Sequence, residues 1–412
     1  MKINTELLNE YYNNLNENTK QYLNAAISKI VDVKKSGGKV MAVTGSGPNI
    51  HEGVTTLIAE LMAKDIIDSV STSSAVIAHE MAGSLDKVKR VNAAMVGIKP
   101  DSHFLPRGNV FEFTLLEKPD LDELRNEMIL DEKLLKKGMG AKGNIIIKAA
   151  GNMGYPMGLR TEIISNEILR IAQVYGLPFE EVAGWGADLQ TMIGIGAIKR
   201  LPVLVTVPQL IGGGTVGLCI GDSIPISERC MRISRLIEEA DLIIESAVAL
   251  TQEIHDGPFE CYTGHGIWAF WNGLKTCSLR GKTLIRIDLD KNLRKAKIAQ
   301  EKNKQIQKAI DQGLPKTKIT SIPFRMEMSG FARLEGSIPI VGDIGEIWPI
   351  IAWRVADALG IALDFISYPQ QSKEGKQMRD LIVKNIKPLN RKKILKKAKE
   401  YDLKKESNLE KP

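Results

Sequence analysis

The chain has 412 residues, of which 43% are apolar and 5% aromatic, and it contains 36 glycines. This length accommodates one large α/β domain with insertions or two domains, and the apolar fraction excludes a chain that is disordered throughout. No run of 18 apolar residues occurs without charges and the N-terminus is polar, so we expect neither a transmembrane helix nor a secretory signal.

The net charge of +7 is concentrated at one end of the chain. Residues 371–412 hold 14 Lys and Arg against 6 Asp and Glu, and the remainder of the chain is close to neutral. We interpret residues 361–412 as a Lys-rich tail, which is either a solvated helix or an arm that contacts RNA or an anionic surface. Nucleic-acid binding is therefore expected only through this tail.

The cysteine spacing argues against a metal or disulfide framework. The 4 cysteines are widely spaced and form no C-x-x-C pair. We expect reduced, inert thiols, no metal site and a cytoplasmic location.

The first elements alternate between helix and strand. We predict a helix over residues 16–36, a strand at about Lys39–Val43 and a helix at about Gly53–Ala63. The segment "IIDSVSTSS" predicts a second strand, and "AVIAHEMAGS" predicts the helix that follows it.

Later apolar segments continue this alternation. "GNIIIKAA", "LPVLVTV", "DLIIESA", "TLIRIDLD" and "SIPIVGD" are each typical of short buried strands. Strands that alternate with helices at this spacing predict an α/β fold with a doubly wound, mostly parallel, Rossmann-like sheet. We expect a helical extension over residues 1–23, a main domain over 24–360 with an insertion at about 91–150, and the tail.

Three glycine loops follow predicted strands: Gly45–Asn49, Gly151–Gly154 and Gly212–Gly217. A single glycine loop also serves ordinary turn geometry. Several on one parallel sheet favour a nucleotide site, because ligands bind at the carboxyl ends of such strands. Asp288 and Asp290 follow another strand, where they either accept hydrogen bonds from ribose hydroxyls or cap the next helix.

Two of the 5 histidines, His51 and His79, follow early strands. We place both at the start of helices, where the helix N-terminus favours a neutral imidazole suited to accepting a proton. Capping or packing is the alternative role. Glu52 and Glu80 add carboxylates, but sequence neighbours point in different directions, so neither pair forms a dyad.

The segment Glu253–Gly273 gathers two histidines and two tryptophans. It is typical of a lid with aromatic walls, or of tryptophans packed against the insertion. A metal site is less favoured, because no third ligand is evident.

Gly47, Pro48, His51 and Gly53 form the pattern G-P-x-x-H-x-G, and "GDIGEIWP" is close to T-D-V-G-x-x-x-P. In both motifs the chain resembles the catalytic domain of the archaeal and cyanobacterial NAD-dependent ornithine cyclodeaminases, whose sheet is related to that of deoxyhypusine synthase. The segment "DSVSTSSAVIAHE" retains His79 of a second motif.

The chain also departs from the family pattern. In the second motif, Ser74 and Glu80 stand where Asn and Asp are usual, and the R-D-D-G-P acids of the middle loop are replaced by "IGGGTVG". The family's amino-terminal region is not matched. The resemblance therefore implies the fold and the cofactor more strongly than ornithine as the substrate.

The resemblance implies NAD as cofactor, a small amino acid or amine as substrate, and a homo-oligomer. Hydride transfer, deamination and cyclisation would be the reaction. It implies catalytic roles for His51, His79 and Glu80. The implied cofactor-binding residues are Gly45, Ser46, Gly47, Pro48, Asn49, Ser74, Gly213, Gly214, Asp288 and Asp343.

Two alternatives remain open at this point. One is an NAD-dependent amino-acid or polyamine dehydrogenase or transferase of the deoxyhypusine synthase-like group. The other is a non-catalytic dinucleotide-binding protein with a basic, RNA-binding tail.

Overall fold

The computed structural model describes residues 3–98, 110–151, 155–247, 279, 281–311, 319–322 and 336–409. Its strands are β1 (Val40–Val43), β2 (Ser69–Thr72), β3 (Leu85–Asn92), β4 (Val110–Thr114), β5 (Gly143–Ala149), β6 (Val203–Val205), β7 (Leu242–Ser246), β8 (Thr283–Asp288) and β9 (Ile338–Val341).

Helices precede, connect and follow these strands. These are α1 (Thr5–Asn14), α2 (Glu17–Lys35), α3 (Ser46–His51), α4 (Val54–Ala63), α5 (Ser74–Met81), α6 (Lys118–Glu127), α7 (Glu132–Gly140), α8 (Pro156–Tyr175), α9 (Phe179–Gly184), α10 (Met192–Lys199), α11 (Thr215–Ser223), α12 (Ile226–Glu239), α13 (Lys291–Lys302), α14 (Lys304–Asp311), α15 (Ile344–Ala358), α16 (Lys373–Asn385) and α17 (Arg391–Leu409). In the described part of the chain, no helix has the length and apolarity needed to cross a membrane.

The main sheet is parallel and has six strands in the order β6-β2-β1-β7-β8-β9. Numbered along the chain within this sheet, the order is 3-2-1-4-5-6, which is that of the Rossmann fold. The central strands β1 and β7 are buried along their whole length, since helices cover both faces. The predicted α/β, doubly wound fold is confirmed.

The N-terminal helices belong to this body. The Asn16 side chain caps α2 by accepting a hydrogen bond from the Thr19 N–H at 3.0 Å. The helix then runs without interruption to Lys35, and Leu23 and Ile30 are buried in the main core. The predicted boundary at residue 24 thus falls inside one continuous helix.

The insertion is a second, antiparallel sheet of three strands in the order β4-β3-β5. It begins at Leu85, a few residues before the predicted start at 91. The segment "GNIIIKAA" forms β5 at an edge of this sheet, so the loop after it does not follow a parallel strand as expected. An isoleucine run has the same pattern in either sheet type, and only the pairing partner distinguishes them.

The basic C-terminal segment is folded onto the body. Tyr368 is fully buried, and its hydroxyl oxygen accepts a hydrogen bond from the Asn4 N–H at 2.9 Å. Met378 of α16 and Ile394 of α17 belong to the main hydrophobic core. The lysines of these helices lie mainly on the outer face, which explains why composition alone indicated a tail.

Candidate functional site

The order of the parallel strands defines a crevice at the carboxyl ends of β1 and β7. The chain places β2 on one side of β1 and β7 on the other, so the winding direction reverses between β1 and β7. Ligands of doubly wound sheets bind at this reversal. The segment Gly45–Asn49, which we call the β1 turn, leaves β1 at this position, but everything after Gly45 belongs to the short helix α3 in place of the predicted glycine loop.

The first residues of the β1 turn leave room for a ligand. Gly45 is extended and precedes α3, which starts at Ser46. At Gly47, a Cβ would meet only the His51 Cδ2, at 3.9 Å. Pro48 is exposed in the first turn of α3.

Asn49 differs from these neighbours, because its side chain is buried and both its Nδ2 and its Oδ1 form hydrogen bonds. Its Nδ2 donates to the Gly45 carbonyl oxygen at 2.6 Å, and its Oδ1 accepts from the Ser246 hydroxyl. The Trp348 Nε1 donates to the Ser246 Oγ at 2.9 Å. These hydrogen bonds join the two sides of the crevice, so Asn49 shapes the β1 turn.

His51 lies close enough to His79 to influence the pKa of His79. Burial, and then the Arg379 and Lys148 cations, lowers the pKa of His51. Burial, with a smaller contribution from His51, lowers the pKa of His79 to about 4. Within the described residues, the buried His79 Nδ1 has no hydrogen-bond partner.

The neutral state expected for these imidazoles is supported, but for another reason. Each histidine lies in the last turn of its helix, α3 or α5, and not at the N-terminus. Burial and neighbouring cations therefore replace the helix dipole as the cause.

Arg379 reaches this pair from α16. Its Nη2 lies 3.5 Å from the His51 Nδ1 and donates to the Ile147 carbonyl oxygen of β5. Its buried Nε has no hydrogen-bond partner among the described residues. Sequence reasoning missed Arg379, because it lies in the segment interpreted as a tail.

Lys148 approaches from the inserted sheet. Its Nζ donates to the Glu112 Oε2 at 2.9 Å and to the Tyr155 hydroxyl at 3.1 Å. This lysine was also missed, since its position beside His51 depends on how the second sheet packs. The site thus combines two neutral imidazoles with two cations.

Two carboxylates lie near the base of the β1 turn. Glu52 accepts hydrogen bonds from the Gln370 backbone N–H and from the Gln370 Nε2, both at 2.7 Å. Burial raises the pKa of Glu52, and nearby Asp343 adds to the effect. Asp343 caps α15 by accepting from the Gly345 N–H at 2.7 Å, so a helix-capping role accounts for its position.

Glu80 does not face its sequence neighbour His79. Its carboxylate accepts hydrogen bonds from the Met192 and Ile193 N–H groups, at 2.9 and 3.1 Å, and so caps α10. Burial raises the pKa of this carboxyl to about 7. The geometry gives Glu80 a positioning role for α10 in place of the proton transfer that was predicted.

The remaining predicted cofactor residues lie at other strand ends. Ser74 accepts from the Gly213 N–H at 2.8 Å, which fixes Gly213 and Gly214 after the edge strand β6. Asp288 ends β8 and pairs with Arg286 at 2.7 Å. Strand β2 separates β6 from β1, and β7 separates β8 from β1, so Gly213, Gly214 and Asp288 lie at strand ends that are not adjacent to that of β1.

Two predicted features fall outside the described residues. They are the aromatic segment Glu253–Gly273 and all but the first residue of the loop Gly151–Gly154. Among the residues that are described, no group of three or more His, Cys, Asp or Glu is arranged to hold a metal ion.

Comparison with known proteins gives distant structural likenesses. No protein-family model and no curated protein sequence matches the chain. A ternary complex of AgrE with ornithine and NAD+ is 10% identical with a TM-score of 0.41, over 84% of this chain and 34% of AgrE. Apo ArgZ, an arginine dihydrolase from the cyanobacterial ornithine-ammonia cycle, is 11% identical with a TM-score of 0.36, over 81% and 31%.

A third structure is more similar in length. It is a conserved putative LOR/SDH protein from Methanococcus maripaludis S2, 10% identical with a TM-score of 0.36, over 84% of this chain and 71% of that one. The present chain spans about a third of the length of AgrE and ArgZ.

Proposed function

We propose that this protein is an NAD-dependent enzyme that acts on a small amino acid or amine by hydride transfer. The observation that carries the proposal is the pair of neutral imidazoles, His51 and His79, beside an open turn at the strand-order reversal of a Rossmann sheet. A Rossmann sheet binds dinucleotides at this position.

The residues of the β1 turn fit such a cofactor. Gly45 and Gly47 keep side chains away from the crevice, while Asn49 and Ser246 hold its two sides in place. The backbone of Gly45–Pro48 would hold the pyrophosphate. When bound, the nicotinamide would supply the hydride acceptor. Residues of this chain would bind the substrate and accept its proton.

The histidine cluster matches the needs of an amino-acid substrate. Arg379 would neutralise its carboxylate, and a neutral His51 or His79 would accept the proton that leaves as the amine is oxidised. A general base of this kind contributes roughly 10²–10⁴-fold to the rate. As in an ornithine cyclodeaminase, the imine would lose ammonia as the side-chain amine attacks it. Return of the hydride to the cyclic imine would then regenerate the cofactor in each cycle.

A simple amino-acid or polyamine dehydrogenase is the alternative within the same site. It would release NADH, whereas a cyclodeaminase would release ammonia without accumulating NADH. An absorbance trace at the NADH band, recorded alongside ammonia release, separates the two.

The first experiment is titration calorimetry with NAD on the wild type and on Gly47→Val. We expect the valine to fill the open space in the β1 turn and to weaken binding at least tenfold. Gly140→Val is the matched control, because a Cβ at Gly140 meets nothing within 4 Å and the residue lies in the insertion, away from the β1 turn. A folded wild type that binds no NAD would overturn the proposal, and equal loss in both variants would remove the assignment to the β1 turn.

A further inference from the structure

A cavity of about 920 Å³ lies between the inserted sheet and α16. Its lining includes neither histidine of the candidate site nor any residue of the β1 turn. Leu115, Leu116, Met157 and Leu381 form apolar walls. Its size falls in the range of sites that enclose small organic ligands.

Asp86 of β3 is the unusual polar group in this cavity. The residue is only 8% exposed, yet it lines the cavity. Its one side-chain hydrogen bond within the described residues comes from the Thr114 hydroxyl at 3.4 Å, a long distance for such a bond. A buried carboxylate with so little compensation is costly unless a cation or a donor joins it.

The surrounding charges do not provide that compensation. Burial, and further Asp120, raises the pKa of Asp86 to about 7. Lys87 is occupied in a 2.8 Å ion pair with Asp380, and both of these side chains are largely exposed at the rim. Lys384 and Lys387 also line the cavity, but neither forms an ion pair with Asp86. Asp120 also lines the cavity, and it adds a second negative charge near Asp86.

We propose that this cavity is a second ligand site that binds an aliphatic amine, with the ammonium at Asp86 and the hydrocarbon chain along Leu115, Leu116 and Met157. An ammonium group supplies the donors that Asp86 lacks, and it relieves the repulsion from Asp120. A metal ion fits less well, because among the described residues no three His, Cys, Asp or Glu side chains are arranged to hold one. The inference does not depend on the proposed NAD chemistry.

The test is titration calorimetry of the full chain with n-hexylamine, compared with n-hexanol. We expect saturable binding of the amine that is at least tenfold tighter than that of the alcohol. Asp86→Asn keeps the shape of the side chain and removes its charge, so it should weaken amine binding at least tenfold. Asp122→Asn, which alters an exposed carboxylate of α6 outside the cavity, should bind as the wild type does.

Two further variants test whether the amine binds in this cavity and not at the candidate active site. Leu116→Trp fills the cavity without touching a charge and should also abolish binding. His79→Ala alters the candidate active site and should leave hexylamine binding intact, which separates this site from the proposed substrate site. Equal affinity for amine and alcohol, retention of binding in Asp86→Asn, or loss of binding only in His79→Ala would overturn the inference.

Discussion

Burial, more than position along a helix, sets the pKa of the two histidines at the candidate site. His79 is the clearest example, because its imidazole is enclosed near another histidine and its Nδ1 has no partner in the described structure. Its sequence neighbour Glu80 points the opposite way, toward α10. Two adjacent residues of one helix therefore serve different tasks, one beside the crevice and one in the core.

We expect His79 to remain neutral well below the pH at which free histidine protonates. Its pKa is lowered to about 4, so the stability that it contributes is present above about pH 6.5 and is lost as the pH falls toward 4. Nitrogen-detected NMR titration, with the resonance assigned through His79→Gln, measures this directly. Protonation near pH 6.5 would contradict the enclosed geometry.

Elements are held in place by buried polar groups at helix ends. Glu80 caps α10 through two backbone N–H groups, and Asn49 joins the β1 turn to Ser246 at the end of β7.

Gly53 connects α3 to α4 at φ 69°, and a Cβ there would lie 2.7 Å from the Met378 Sδ. Only glycine combines that backbone conformation with the close approach of α16.

The cap at α10 should make stability depend on pH. Burial raises the pKa of Glu80 to about 7, so the folded protein keeps a proton that the unfolded chain releases. The free energy of unfolding should therefore fall by about 3 kcal/mol between pH 4.5 and 7 on account of this group.

Urea unfolding at several pH values tests this expectation. Glu80→Gln cannot titrate, so its curve should be flatter than that of the wild type over this interval. Glu10→Gln, at an exposed position of α1, is the control and should follow the wild type. Parallel curves for Glu80→Gln and the wild type would refute the assignment.

At the scale of the whole molecule, the C-terminal helices join the two sheets. Met378 of α16 packs against the β1 side of the body, and its neighbour Arg379 reaches the carbonyl oxygen of Ile147 in the inserted sheet. Helix α16 thus forms one wall of the candidate site and one wall of the amine cavity. A segment that composition marks as a tail is part of the folded body and of the candidate site.

Removing the packing of α16 should destabilise the whole domain. Met378→Ala deletes a fully buried side chain and should cost about 2–5 kcal/mol, as measured by urea unfolding. Lys376→Ala changes an exposed residue of the same helix and should stay within about 0.5 kcal/mol of the wild type. Similar, small effects of both substitutions would mean that α16 does not dock.

The sequence by itself determined the alternation of strands and helices, the parallel sheet and the position of the β1 turn. These features depend on local patterns: apolar runs of strand length, glycine turns, and cap residues such as Asn16. The same patterns identified His51 and His79, because both lie within a turn or two of a strand end.

Only the tertiary structure decided which groups meet. Arg379 and Lys148 come from segments far from His51 in the chain, and their approach depends on how α16 and the inserted sheet dock. Glu80 and Asn49 point inward toward α10 and the end of β7, contacts that their own segments do not reveal. Local patterns fix periodicity and turns, whereas the direction of a side chain relative to distant elements is set by packing.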